Sequence, residues 1–333
     1  MLVIDGKQVH QLYPMRDAIA VMAEAMRRYS AGQVSLPLRT ILRPAGETGL
    51  MGTMPGYVSG HPDDSLAGFG LKAKMLKPEN PARGLDLHIG VVLVFDQATA
   101  RPLAMMDASA VTAIRTAAVT AVATDRLART DAGDLAILGS GVQARSHLES
   151  ISIVRPLQRV RVWSPNADHV RAYANWAEHD LGIAVEAAQS PAAALKGADI
   201  VCTTTSSKDP LVSADDLCPG AHVNAVGASF IDHREIEPEV IAAASVFVDS
   251  RESAANESGD LLGAVKVGLI GLDHIMAEIG EVLLGRHQGR LDHSEITLYK
   301  SLGLGMQDIM SGFAIAKAAA EQGIGLEFSL DNH

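Results

Sequence analysis

The feature that most constrains this chain is the run Leu135-Ala136-Ile137-Leu138-Gly139-Ser140-Gly141-Val142-Gln143-Ala144. Four apolar residues lead directly into a G-x-G-x-x-A turn, and a helical pattern follows. The first glycine permits the tight turn, the second lets backbone approach a pyrophosphate, and the small third residue lets the helix lie close to the strand. The pyrophosphate then rests on the N-terminus of a helix beginning at Val142, where free N–H groups and the helix dipole favour anions. Alone, the hexapeptide is a weak signal. Its weight comes from the strand before it, the helix after it and a second apolar strand at Val160–Trp163.

The same alternation continues. Strands are expected at Leu135–Leu138, Val160–Trp163, Ile200–Thr203, His222–Val226 and Val246–Val248, separated by helices or loops. That pattern predicts an α/β fold with a parallel sheet and crossover helices. The end of the second strand normally selects the cofactor, an acid favouring NAD and an arginine NADP. Here it reads Ser164-Pro165-Asn166, neither of these, and nearby Arg161 suits a strand residue facing elsewhere. The choice between NAD(H) and NADP(H) stays open.

Upstream the texture differs. An amphipathic helix is expected over 14–31, with Pro14 in its first turn. Short β-like runs follow at Thr40–Leu42, Gly49–Met51, Gly68–Met75 and Ile89–Phe95, the last expected to be buried on both faces. An alanine-rich helix spans 107–127, capped by Asp107 or Ser109, and another runs from Leu304 to Glu321, placed to return onto the first domain. A chain of 333 residues favours two domains over one. With 47% hydrophobic residues, each has enough apolar material for a core.

Charge and composition narrow the partners. A net charge of −11 with no basic run interleaved with aromatics argues against nucleic acid. No stretch of about 18 uninterrupted apolar residues points to a membrane span. Residues 1–7 carry no cationic start followed by an apolar run, so no signal peptide is expected. Cys202 and Cys218 lack metal-ligand spacing and read as reduced thiols, which suits a cytoplasmic protein. The histidines form no ligand set, and no metal is expected.

Several segments in order carry a more specific resemblance: Pro37-Leu38-Arg39-Thr40, Gly70-Leu71-Lys72 six residues before Pro78, and Ala113-Ile114-Arg115-Thr116-Ala117-Ala118. Further along come Asn224-Ala225-Val226-Gly227-Ala228-Ser229, Glu257-Ser258-Gly259-Asp260 and Lys300-Ser301-Leu302-Gly303. Across nearly its whole length the chain resembles the ornithine cyclodeaminase/mu-crystallin family. The resemblance implies a homodimer, a Rossmann domain at 113–305, and a discontinuous α+β substrate-binding and dimerisation domain made of 1–112 and 306–333. It also implies an active site in a cleft. The first domain's sheet is short of covering helices, which independently suggests a second copy as partner.

By the same resemblance Arg39, Lys72 and Arg115 bind a substrate carboxylate, which arginine holds bidentately while fixing the reacting carbon. Cofactor contacts fall on His88, Arg115, Thr116, Gly139, Gly141, Val142 and Gln143. They continue on Ser164, Asn166, Thr204, Thr205, Val226, Ser229 and Ser301. Lys72 stands out without the family, because a lysine among apolar strand residues needs a partner. Ornithine cyclodeaminases place acids where this chain has Gly52 and Ser229, and a serine is no general base without activation. The expectation is therefore an NAD(P)H-dependent imine reductase acting on a small 2-imino carboxylate, with Lys72 as proton donor and Ser229 at the substrate. Pyrroline-2-carboxylate and piperideine-2-carboxylate come first. Iminosuccinate follows, because Arg43 and Lys74 lie close to the anion site and Lys74 shares the face of Lys72. Ornithine cyclodeaminase, alanine dehydrogenase and a non-catalytic mu-crystallin-like binder of NAD(P)H are the alternatives.

Overall fold

Short apolar runs become the buried strands of a parallel sheet. The computed structural model describes residues 1–61 and 63–329. Strand Asp134–Leu138 is flanked in parallel by Arg159–Trp163 on one side and Ile200–Thr203 on the other. The full order is Glu186–Ala187, Arg159–Trp163, Asp134–Leu138, Ile200–Thr203, His222–Ala225, Thr297–Lys300, Ser245–Val248 and Ile275–Glu278, all parallel. The chain builds outward from strand 134–138 in one direction, then returns to build the other side from strand 200–203. In an open α/β sheet that reversal leaves a crevice at the carboxyl ends of the strands. Gly139 and Thr204 sit at those ends.

Five of these strands were expected, and three were not. Glu186–Ala187 is too short to show a pattern, and Ile275–Glu278 has only two buried residues, Ile275 and Ala277. Thr297–Lys300 is fully buried, yet its sequence Thr-Leu-Tyr-Lys does not read as a core strand. Thr297 and Lys300 are paired only through tertiary contacts: the Thr297 hydroxyl donates to the Leu127 carbonyl at 3.1 Å, and the Lys300 ammonium to Asp260 at 2.8 Å.

The chain divides into two compact units, Met1–Arg115 with the segment from Leu304 onward, and Thr116–Gly303. The division falls inside helix Ala108–Leu127, and it places Arg115 in the first unit rather than in the Rossmann unit expected from residue 113. The reason is physical: the Arg115 guanidinium is held by Asp308 and Gln307 of the C-terminal helix. Residues 330–333 of the expected first domain lie outside the described residues. Asp107 caps helix 108–127, accepting from the Ala110 N–H at 2.7 Å, while Ser109 donates instead to the His88 carbonyl.

The first unit holds a mixed sheet in the order Leu326–Glu327, Leu2–Ile4, Pro102–Asp107, His88–Phe95, Gly68–Leu76, Leu50–Val58 and Val34–Ser35, with Thr40–Leu42 also on 50–58. Helix Gly305–Gln322 covers one face, and helix Met15–Ser30 packs on that helix through Met22 and Met26. Burying each methionine side chain contributes roughly 1.5–3 kcal/mol. Strand 88–95 is not buried on both faces as expected. Val92 and Val94 face the helix at 0% exposure, whereas Ile89 and Val91 on the other face are 47% and 37% exposed. Their neighbours on that outer face, Met51, Phe69, Met75 and Leu103, are exposed as well. The strand reads as an unbroken apolar run because its outer face is apolar without being covered by its own chain. Among the described residues, no helix is long and apolar enough to cross a membrane.

The turn at Gly139 has a measurable consequence. Its φ of +113° is one that side chains rarely adopt, and a Cβ there would lie 2.7 Å from the Thr204 hydroxyl and 2.8 Å from its carbonyl. Backbone strain of this kind costs roughly 1–3 kcal/mol before any clash. Gly139→Ala is expected to lower the thermal midpoint and weaken nicotinamide-dinucleotide binding together; an unchanged melt would show that the turn relaxes freely.

Candidate active site

Strand 68–76 sends alternate side chains to the face under helix 305–322, so Gly70, Lys72 and Lys74 share it. Lys72 is 1% exposed, and its ammonium donates to Asp308 Oδ1 at 2.8 Å and to Thr112 Oγ1 at 2.6 Å. Thr112 donates its own hydroxyl proton to the Ala108 carbonyl. One helical turn after Thr112, Arg115 donates through Nε to Asp308 Oδ1 at 3.2 Å and through Nη1 to Gln307 Oε1 at 2.9 Å. Asp308 lies in the first turn of helix 305–322, where the dipole also favours a carboxylate. Burial opposes its charge, but Arg115 and Lys72 outweigh burial and hold its carboxyl below the usual range. Its other oxygen, Oδ2, is buried and has no hydrogen-bond partner among the described residues.

The titration of these cations follows from their crowding. Burial lowers the Lys72 pKa, Asp308 pulls it back, and the charges of Arg115 and Lys74 lower it again, leaving it at about 7. Lys74 is lowered to about 8 by burial, then by Arg39 and Arg115. His88 falls to about 4, through burial and then the charges of Lys74 and Lys72, and is neutral at ordinary pH. Arg39, Lys72, Lys74, His88 and Arg115 therefore belong to one electrostatic cluster of the first unit. Arg43 is exposed. Ser229 belongs to the second unit.

The second unit gathers the expected cofactor residues at the carboxyl ends of its strands. Gly141 starts helix Val142–Val154 with no side-chain cap, and a Cβ there would meet nothing within 4 Å. The helix N-terminus thus opens onto free space, which fits a pyrophosphate. Gln143 lies in that first turn, and its carbonyl accepts from the buried His147. Thr204 Oγ1 donates to the Leu138 carbonyl, and Thr116, Val226 and Ser301 are buried. Ser301 Oγ has no hydrogen-bond partner among the described residues, an orphaned buried hydroxyl that also fits a bound polar ligand. At the end of strand 159–163, Ser164 is half-buried and Asn166 caps the next helix, its Oδ1 accepting from the Asp168 and His169 N–H groups. Arg161 is buried and turned to Asp134 and the Lys196 carbonyl, so it is not placed to meet a ribose phosphate.

Residues that sequence reasoning missed hold both clusters in shape. Asp308, Gln307 and Thr112 complete the first. The available signal was an acid at position 308 in an apolar, alanine-rich helix, together with a lysine already in need of a partner. Glu235 organises the second. Fully buried, it accepts from Thr203 Oγ1 at 2.8 Å, from the N–H and hydroxyl of Thr205 at 2.7 Å each, and from the Gly227 and Ala228 N–H groups at 2.7 and 3.1 Å. Asp260 in turn accepts from the Glu235 and Ile236 N–H groups and from Lys300, whose ammonium also reaches the Ala228 carbonyl at 2.6 Å. The loop carrying Ser229 is thereby fixed to the ends of two strands.

A parallel sheet whose switch point carries an uncapped glycine turn defines a dinucleotide-binding α/β protein. The sequence profile of the ornithine cyclodeaminase/mu-crystallin family matches residues 2–323, and the chain belongs to that family. It is 35% identical over 326 residues to a Delta(1)-pyrroline-2-carboxylate reductase of Bacillus cereus, covering 98% of each chain. Its structure resembles that of Thermococcus litoralis Delta(1)-pyrroline-2-carboxylate reductase, solved with NADH and L-proline, at a TM-score of 0.94 and 33% identity, covering 98% of this chain and 100% of the other. An archaeal alanine dehydrogenase dimer with bound NAD matches at a TM-score of 0.92 and 30% identity, covering 99% of each.

Removing the shared carboxylate tests the first cluster. Asp308→Asn leaves two buried cations without their counter-charge, and breaking a buried pair in this way costs about 3–5 kcal/mol. Urea unfolding is expected to show a loss of that order, and the double variant Lys72→Met/Asp308→Asn a loss smaller than the sum of the two single changes. Additive losses would mean that the two side chains stabilise the unit independently.

Proposed function

We propose that the protein is an NAD(P)H-dependent reductase of small 2-imino carboxylates, forming an L-amino acid. The observation that carries this reading is Lys72, a buried ammonium held by Asp308 and Thr112 beside Arg115 and Lys74, whose pKa burial and those charges lower to about 7. Arg39 and Arg115 hold the substrate carboxylate, and burial with the charges of Arg115 and Lys74 keeps Lys72 ready to release its proton. The bound cofactor supplies a hydride to the imine carbon. As the new C–H bond forms, the C=N electron pair moves onto nitrogen, which has taken its proton from the Lys72 ammonium. Lys72 is left as a neutral amine, still held by Thr112, and regains a proton from solvent. Asp308 Oδ2, without a hydrogen-bond partner among the described residues, accepts from the iminium N–H. Ser229 orients the imine or a water.

In the second unit, Gly139, Gly141, Val142 and Gln143 receive the pyrophosphate. Ser164 and Asn166 border the adenine ribose, and Thr204, Thr205, Val226 and Ser301 border the nicotinamide half. His88, Arg115 and Thr116 complete the cofactor contacts. The absence of carboxylates at 52 and 229 argues against cyclodeaminase chemistry, which has a second amino group to handle. Alanine dehydrogenase activity is the second reading, favoured by the similarity to the archaeal enzyme. The protein is proposed to be cytoplasmic. Its partner is proposed to be a second copy, seated on the apolar outer face formed by Met51, Phe69, Met75, Ile89 and Val91.

Consumption of NADH or NADPH, followed by absorbance, tests the activity with pyrroline-2-carboxylate, piperideine-2-carboxylate, iminosuccinate, and pyruvate with ammonia as substrates. Loss of reduced cofactor with an imine is expected. Proline and ammonia appearing from ornithine instead would replace this reading with cyclodeaminase. Because Lys72 must be protonated to act, kcat for reduction is expected to fall as pH rises through about 7, while oxidation of the amino acid gains over the same range. A reductive kcat that stays level well above neutrality would remove Lys72 from proton transfer. For the assembly, light scattering should show a dimer that Val91→Asp converts to monomer, since a charge buried in an apolar interface is strongly unfavourable. A monomeric wild-type protein would refute the dimer.

A further inference from the structure

We propose that Glu235 is a positioning residue for the nicotinamide half of the cofactor, its carboxyl group setting the loop after strand 200–203 against the loop after strand 222–225. This rests on the reading of Thr204, Thr205, Val226 and Ser301 as the border of that half. A doubly wound sheet consists of two mononucleotide-binding halves that meet at the switch point. Strands 186–187, 159–163 and 134–138 form the half that carries the glycine turn, and strands 200–203, 222–225 and 297–300 lie on the other side. Every donor to the Glu235 carboxyl group belongs to that other side. Oε1 accepts from the Thr205 N–H and hydroxyl, and Oε2 from Thr203 Oγ1 and the Gly227 and Ala228 N–H groups.

The fold itself does not call for this group. Pairing between the two strands is complete from Ile200–His222 to Thr203–Ala225 without it. Burying a carboxyl group without a paired cation is costly. Glu235 is 0% exposed, and the neighbouring cation, Lys300, is bonded to Asp260 and the Ala228 carbonyl instead. What the group does achieve is a fixed geometry beyond the strand ends, where an open α/β sheet binds its ligand. Its own backbone is anchored first, because Asp260 Oδ1 accepts from the Glu235 and Ile236 N–H groups. Ala228 is then held at both ends, its N–H by Glu235 and its carbonyl by Lys300. A Cβ at Gly227 would lie 2.6 Å from Glu235 Oε1 and 2.2 Å from the Thr205 carbonyl, so only glycine lets the two loops approach this closely.

An amide at 235 keeps a single acceptor oxygen. Its NH2 must face backbone donors that cannot reverse, so either the Thr205 or the Ala228 N–H loses its acceptor; the Gly227 N–H is shared with the Thr203 carbonyl. The test is calorimetric titration of the full-length wild type and Glu235→Gln with NADH and with ADP, which carries the adenosine and diphosphate but no nicotinamide riboside. NADH should bind Glu235→Gln about tenfold more weakly than the wild type, while the Kd for ADP stays within about twofold. Equal weakening of both ligands would make Glu235 a residue of the fold alone, and unchanged NADH binding would remove it from the site; either result overturns the proposal. Ser301→Ala separates this inference from the reading beneath it, because its hydroxyl has no hydrogen-bond partner among the described residues and is not tied to Glu235. If Ser301→Ala loses affinity for NADH alone and Glu235→Gln does not, the nicotinamide half lies where it was read and Glu235 does not position it. If neither variant separates NADH from ADP, both fall. Should circular dichroism show Glu235→Gln unfolded, Thr203→Val deletes one of the five donors and should give the same NADH-only loss at about threefold; equal loss of ADP there overturns the proposal as well.

Discussion

Taking an ammonium group out of water costs several kilocalories per mole unless a counter-charge and hydrogen bonds replace its hydration. In the first unit that constraint falls on Lys72, and Asp308 meets it. The same carboxylate oxygen receives Lys72 from strand 68–76 and Arg115 from helix 108–127, while Asp308 itself belongs to helix 305–322. Three segments widely separated in sequence are thus joined at one atom. The C-terminal helix does not merely cover a sheet; it closes an electrostatic circuit without which the two cations would repel each other at close range.

That circuit explains how a stable unit carries a buried lysine whose pKa lies near neutrality. Asp308 is strong enough to keep Lys72 buried, yet Arg115 and Lys74 prevent it from restoring an ordinary lysine pKa. The result is an ammonium that both holds structure and releases a proton near neutrality. The second unit solves a different problem with similar means. Loops at strand ends are intrinsically mobile, and the donors gathered by Glu235 fix residues 203–205 to residues 227–228 without contributing to the apolar core.

The parallel sheet was legible because its strands are short apolar runs bounded by glycine, proline or polar residues, a pattern that survives without tertiary help. Leu135–Leu138 and Ile200–Thr203 read correctly for that reason. Thr297–Lys300 did not, since a strand containing threonine, tyrosine and lysine becomes a core strand only when Leu127 and Asp260 are brought to it. Strand 88–95 misled in the opposite direction. Its continuous hydrophobicity suggested two covered faces, and one of them is open in the single chain. Local sequence reports that a face is apolar, but not what covers it.

The site shows the same division. Arg39, Lys72 and Arg115 were singled out in the sequence through the family resemblance, whereas the glycine turn at 139–141 was legible by itself, because turn stereochemistry is a local property. So was the placement of Lys74 on the face of Lys72. What the tertiary structure decided is the partner of each charge: Asp308 against Lys72 and Arg115, Asp134 against Arg161, Glu235 against the strand-end donors. It also moved Arg115 into the first unit. Side-chain type and spacing along an element are written in the chain, whereas electrostatic pairing depends on distances between segments that only folding brings together.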